Sequence, residues 1–215
     1  MESKKKIAII MLGAPGSGKG TQGKLLENKT GFKRYVMSDL IKKELTPGTD
    51  LHKKVFKEGI LLSDSHIFKI FRSNFKSEND IILDGTPRTL DQAYWLYGFL
   101  KNHHYTIKLI FLNVDESQLI SRITSRYYCP NCHTLYNTHI KNLMPKQEGT
   151  CDKDGEILIQ RDDDTPEVFK ERLEIFNQVK EVILNVYKAE ILEVNGDEDI
   201  DTVSKEIIRK IILHR

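Results

Sequence analysis

The chain has 215 residues, 39% apolar and 30% charged, enough for one large core and too apolar for a disordered protein. A formal net charge of +2 announces no basic face, which argues against a nucleic-acid surface. The apolar run after MESKKK is too short for a signal sequence, and no run approaches a membrane span, so a cytoplasmic protein is expected.

In chain order, residues 7–12 (IAIIML) read as a buried strand, and residues 19–28 as a following helix. Between them lies GAPGSGKGT: Gly13, Ala14, Pro15, Gly16, Ser17, Gly18, Lys19, Gly20 and Thr21. Gly13, Gly18 and Lys19 are in register with the phosphate-cradling pattern G-x-x-x-x-G-K-[ST], but Gly20 stands where a magnesium-binding hydroxyl is expected. Glycines there let backbone N–H groups turn inward on an anion at a helix N-terminus, and Lys19 would reach the terminal phosphates. Residues 38–73 read as mostly helical with no clear strand. Residues 81–84 (IILD) form a second buried strand ending in Asp84, at the edge where α/β sheets bind ligands, a position suited to Mg²⁺ or its waters.

A helix is expected over residues 90–101, a strand over 107–114, and a helix over 116–126 that would carry Arg122 and Arg126 one turn apart. Thr165-Pro166-Glu167 is a helix start, and that helix runs to about residue 187. A last strand over 191–194 and a helix over 200–213 complete a β-α alternation that implies a parallel sheet covered on both faces. Arg88, Arg122, Arg126, Arg161 and Arg172 supply the cationic forks that phosphoryl transfer between two nucleotides needs.

Residues 127–160 break the rhythm with Pro, Gly, Asn and all three cysteines, which marks a small insert. Cys129 and Cys132, then Cys151 and Asp154, match zinc-ribbon spacing with a carboxylate as fourth ligand; Asp152, His133 and His139 are alternatives for that place. Four protein ligands make a closed, structural site. Tyr127, Tyr128 and Tyr136 surround the cysteines, but the positive charge of a nucleic-acid binder does not.

The segments GAPGSGKGTQ (13–22), LDGTPRTLDQA (83–93), SRITSR (121–126), CPNC and CDKDG (129–155), and QRDDDTPEVFKERL (160–173) together resemble the adenylate kinases, the long-lid bacterial type with a zinc-bearing lid. The resemblance implies a P-loop kinase fold: a central parallel five-stranded sheet with helices on both faces, a helical monophosphate-binding segment and a small zinc-ribbon-like lid. It implies a core of residues 1–36, 74–126 and 161–215, a monophosphate-binding segment of 37–73 and a lid of 127–160. The family's loop reads G-K-G-T, so Gly20 is ordinary there. The resemblance further implies a monomer that transfers a phosphoryl group from Mg-ATP to AMP. Lys19, the loop, Arg122 and Arg126 would hold the donor. Arg88 would grip the acceptor phosphate, Gly85 and Gln92 would line the acceptor site, and Arg161 and Arg172 would converge on the transferred group. Asp163 and Asp164 match the family's lid-hinge acid pair. The family's S-T-G-D-x-x-R reads Val36-Met37-Ser38-Asp39-Leu40-Ile41-Lys42 here, and its D-G-F-P-R has Thr86 for Phe. All these departures fall on the acceptor side. They leave open GMP, CMP or UMP as acceptor, or a nucleotide-binding protein with weakened catalysis.

Overall fold

A computed structural model describes residues 6–56, 58, 60–76, 79–161 and 164–213; Asp163 lies outside them. Five strands, β1 (Lys6–Gly13), β2 (Lys33–Val36), β3 (Ile81–Asp84), β4 (Tyr105–Asn113) and β7 (Ile191–Asn195), form one parallel sheet in the order β2-β3-β1-β4-β7. After β3 the chain crosses to the other side of β1, so the strand order switches beside β1. Crevices at such switch points are where open α/β sheets take ligands.

Alternation along β1 explains the layers. Ala8, Ile10 and Leu12 face one side, and Ile7, Ile9 and Met11 the other. The first side is covered by α2 (Met37–Glu44), α4 (Asp64–Asn74), α5 (Leu90–Asn102) and α7 (Pro166–Val186), the second by α1 (Lys19–Thr30) and α8 (Ile200–Leu213). With both faces covered, β1 is apolar at every position from Ile7 to Leu12, and Ala8, Ile9 and Ile10 are wholly buried. Local chemistry sets the helix ends. Thr89 caps α5 by accepting from the Gln92 amide, and Thr165 caps α7 by accepting from Val168 with Pro166 next in line.

β2 is the strand that the apolar pattern misses. Its four residues alternate Lys33, Arg34, Tyr35 and Val36, and only Tyr35 is buried. A run so short and half-charged carries too little periodicity to read, and it becomes a strand because β3 offers an unpaired edge. The expected helix over 116–126 also needs correction. Helix α6 (Glu116–Thr124) stops earlier, where the Ser125 hydroxyl bonds the Ser121 carbonyl and Asn137. Arg126 instead opens β5 (Arg126–Tyr128), which pairs antiparallel with β6 (Leu135–Asn137). Arg122 and Arg126 therefore do not share a helix face. Residues 37–73 contain α2, α3 (Asp50–Phe56) and most of α4, and no strand among the described residues. Over 127–160 the chain forms the β5–β6 hairpin, a 3-10 turn at Lys141–Leu143 and a small core of Cys129, Tyr136, Cys151 and Leu158.

Candidate nucleotide-binding crevice

The glycine loop joins the end of β1 to α1, at the switch point. Gly13 has no room for a side chain: a Cβ would sit 2.6 Å from Ser17 Oγ and 2.8 Å from the Leu112 carbonyl. Gly18, the N-cap of α1, has φ of 92°, a left-handed value that β-carbons resist. Ala14 anchors the loop against Leu119 and Ile123 of α6 and Phe169 and Leu173 of α7. Ser17 is buried; Pro15, Gly16, Gly20 and Thr21 are half-buried along the loop and the first turn of α1.

Lys19 lies half-buried at the bottom of this loop, its ammonium surrounded by protein. Nζ donates to the carbonyls of Gly13 (2.6 Å) and Ala14 (2.8 Å) and lies 3.4 Å from Ser17 Oγ. Burial pulls its pKa down to about 7; Asp84 opposes that shift, and the positive charges of Arg88, Arg172 and Arg126 add to it. Three arginines from three separate elements thus act on one lysine. Phosphate oxygens placed among these groups would favour the charged ammonium again.

Asp84 ends β3, opposite Met11 of β1 and Val36 of β2, and is buried. Arg88, four residues on, is exposed and donates from Nε to the Gly85 carbonyl (3.0 Å). Arg126 forms a two-point pair with Asp164: Nε to Oδ2 at 2.8 Å, and Nη2 to Oδ1. The Asp164 side chain is fully buried. Arg161 is exposed, its guanidinium 6.0 Å from the Tyr128 ring, and Arg172 is half-buried on α7. Arg122 stays on α6, donating to Gly196 O (2.9 Å) and to Gln118 Oε1 (3.0 Å). Beside it, at the ends of β4 and β7, opens a polar cavity of about 630 Å³ lined by Asn113, Asp115, Glu193 and Asp197 among others.

On the other side of Asp84, Met37 is buried at the start of α2, with Ser38 half-buried next to it. Lys42 is exposed, its ammonium 5.6 Å from the Phe56 ring centre. The backbone of Gly85, with φ of 85°, brings the Arg88 guanidinium and Met37 to the same spot. The Gln92 carboxamide is buried and held at both ends. Its nitrogen donates to Asp64 Oδ1 (2.8 Å), and its oxygen accepts from the Arg88 amide (2.8 Å). Asp64, which also accepts from Thr89 Oγ1 (3.0 Å), and Arg34, which pairs with Asp84 at 3.3 Å, are residues that sequence reasoning missed. Nothing in the local pattern marks either, since Asp64 meets Thr89 and Gln92 across 25 and 28 positions and Arg34 meets Asp84 across 50.

In the insert, the sulfurs of Cys129, Cys132 and Cys151 and a carboxylate oxygen of Asp154 all lie within 4.8 Å of one another. The other candidates for fourth ligand are engaged elsewhere: His139 Nδ1 lies 3.1 Å from Ser121 Oγ, and Asp152 accepts from the Lys146 amide. His133 is in the left-handed region at φ 57° and belongs to no such group.

A glycine loop feeding a helix, a strand-ending carboxylate beside it and arginines converging on the loop lysine define a P-loop phosphotransferase. Comparison with known proteins makes this specific. The "Adenylate kinase" family model matches residues 11–192. The adenylate kinase of Onion yellows phytoplasma is 37% identical over 209 residues, covering 93% of this chain and 95% of the relative. That of Oceanobacillus iheyensis is 37% identical over 208 residues (93% and 96%), and that of Archaeoglobus fulgidus 36% over 208 residues (93% and 95%). The chain belongs to the adenylate kinase family. It is a nucleoside monophosphate kinase, and ATP is its phosphoryl donor with Mg²⁺.

Proposed function

We infer that the chain catalyses ATP + AMP ⇌ 2 ADP through the crevice around Lys19. The observation that carries the reading is the convergence of Arg88, Arg126 and Arg172 on the buried Lys19 ammonium at the end of β1, with Asp84 alongside. Phosphoryl transfer asks little covalent chemistry of the protein; it asks that two anions be aligned and their charge offset as it spreads in the transition state. The loop amides and Lys19 hold the donor phosphates, with Arg122 and Arg126 assisting. Arg88 holds the acceptor phosphate, and Arg161 and Arg172 reach the transferred group. Asp84 faces the divalent cation that accompanies ATP. Met37, Ser38, Lys42, Gly85 and Gln92 shape the acceptor site. Among acceptors, family membership favours AMP over GMP, CMP or UMP and over a binding-only role.

Residues 37–73 act as the monophosphate-binding segment and 127–160 as a lid, each moving against the core to exclude water, the competing acceptor. Arg126 and Arg161 flank the lid, so its motion delivers them to the phosphates. Cys129, Cys132, Cys151 and Asp154 hold one structural Zn²⁺: three thiolates and a carboxylate at this spacing fit a closed tetrahedral site. Among the described residues no helix is long and apolar enough to cross a membrane. A cytoplasmic monomer without a nucleic-acid partner completes the reading.

The test is nucleoside diphosphate formation from Mg-ATP with AMP, GMP, CMP and UMP in parallel. AMP is expected to win by a wide margin. Equal or better turnover with another monophosphate overturns the assignment of acceptor.

A further inference from the structure

Gly20 stands where the phosphate-loop pattern places a hydroxyl, and the surroundings of its missing side chain are informative. Arg34 reaches from β2 under the start of α1. Its Nη1 donates to the Gly20 carbonyl (3.2 Å) and to Asp84 Oδ2 (3.3 Å), and its Nε lies 3.6 Å from Glu27 Oε2. The Arg34 and Asp84 side chains are only 17% and 11% exposed. A Cβ on Gly20 would lie 3.8 Å from Asp84 Oδ2; one on Gly23 would lie 3.4 Å from Arg34 Cδ and 3.8 Å from the same oxygen. Two glycines three residues apart thus leave a bare strip on α1, and the ion pair packs along it. The other carboxylate oxygen, Asp84 Oδ1, makes no hydrogen bond among the described residues.

We propose that Arg34 is a positioning residue for phosphoryl transfer: by clamping Oδ2 it aims Oδ1 at the crevice, and its charge keeps Asp84 from holding a divalent cation until the nucleotide arrives. This rests on the reading of Asp84 as the carboxylate that faces the cation. The donor set fits that cation, because Mg²⁺ is ordinarily bound through one or two carboxylates plus substrate phosphates rather than by an all-protein cage. A single carboxylate already paired with a guanidinium has little charge left for a free ion. The phosphates supply the remaining ligands and charge, so cation and nucleotide enter together.

The test uses Mn²⁺ as probe, with free Mn²⁺ counted by electron paramagnetic resonance, on the metal-loaded full chain without nucleotide. Arg34→Gln is expected to tighten Mn²⁺ binding about tenfold or more, and Arg34→Lys to return it toward the starting value. Glu27→Gln removes the acid that competes for Arg34 and is expected to weaken Mn²⁺ binding. Asp84→Asn is expected to abolish the tightening in the Arg34→Gln background. If Arg34→Gln lowers the melting temperature but leaves Mn²⁺ affinity unchanged, the pair is structural only and the proposal falls. If Arg34→Gln does not fold, Glu27→Gln carries the test, and unchanged affinity there overturns the proposal. If Arg34→Gln tightens binding and Asp84→Asn has no effect on it, the failure lies in the underlying reading of Asp84.

Discussion

Replacing Asp164 with Asn tests how the proposed lid hinge holds Arg126, one of the arginines assigned above to the donor phosphates. The native carboxylate is fully buried and accepts two hydrogen bonds from Arg126. An amide of the same shape can accept only one, and its NH₂ faces a donor. A hydrogen bond to a charged group is worth about 1.5–3 kcal/mol, but the Arg126 side chain is 22% exposed and can turn partly to water, which reduces the loss to about 1–2 kcal/mol. For a chain of 215 residues, at about 2–4 °C per kcal/mol, the melting temperature is expected to fall by about 2–8 °C. Catalysis should suffer more than stability, because a displacement near 1 Å in a positioning group can cost about 100-fold. Calorimetry and initial rates at saturating ATP and AMP separate the two effects: kcat is expected to fall at least about tenfold, with the KM for AMP changing less. A variant that melts within about 1 °C of the parent and keeps its kcat would refute the reasoning, since it would show that Arg126 needs no partner.

Three further outcomes are expected. Lys19, with a pKa of about 7 when folded against 10.5 in the unfolded chain, binds fewer protons folded than unfolded. Its penalty on the ligand-free protein is therefore complete below pH 7 and lifts as pH rises from 7 to 10.5. ATP binding at pH 8 should take up close to one proton, read by calorimetry in buffers of different ionisation enthalpy; Lys19→Met should abolish both the uptake and transfer, and uptake that survives the substitution rules the lysine out as its source. Removing the metal by chelation, or by Cys132→Ser, should lower the melting temperature of the insert. An ion present at about 100 times its dissociation constant contributes about 2.7 kcal/mol, or about 5–11 °C, and an unchanged melt would mean no structural metal. Met37→Thr with Lys42→Arg should lower the KM for AMP severalfold and leave that for ATP unchanged, since an arginine fork grips phosphate at two points where the exposed Lys42 ammonium grips at one; an unmoved KM would show that these positions do not face the acceptor.

The features that the sequence determined by itself are those whose cause is local. Gly13 and Gly18 sit where a close backbone approach and a left-handed turn allow nothing larger, so the loop is visible as a run of glycines. Residues 7–12 of β1, 81–83 of β3 and 109–112 of β4 read as apolar runs because both faces of the sheet are covered there, and Thr165-Pro166 announces α7 through capping chemistry that spans only four residues. The cysteine spacing reflects short hairpin turns, and the sulfurs and Asp154 do gather.

Tertiary structure decided what depends on a distant partner. β2 exists because β3 has a free edge, and four residues with two cations could not signal it. Arg126 left its expected helix because the next residues pair with β6 and because Asp164, 38 positions away, fixes its guanidinium. Arg34 meets Asp84 across 50 positions, and Asp64 meets Gln92 across 28. A charged side chain carries no mark of its partner in its own neighbourhood; burial and pairing are properties of the assembled sheet, so these contacts became legible only once the strands were in register.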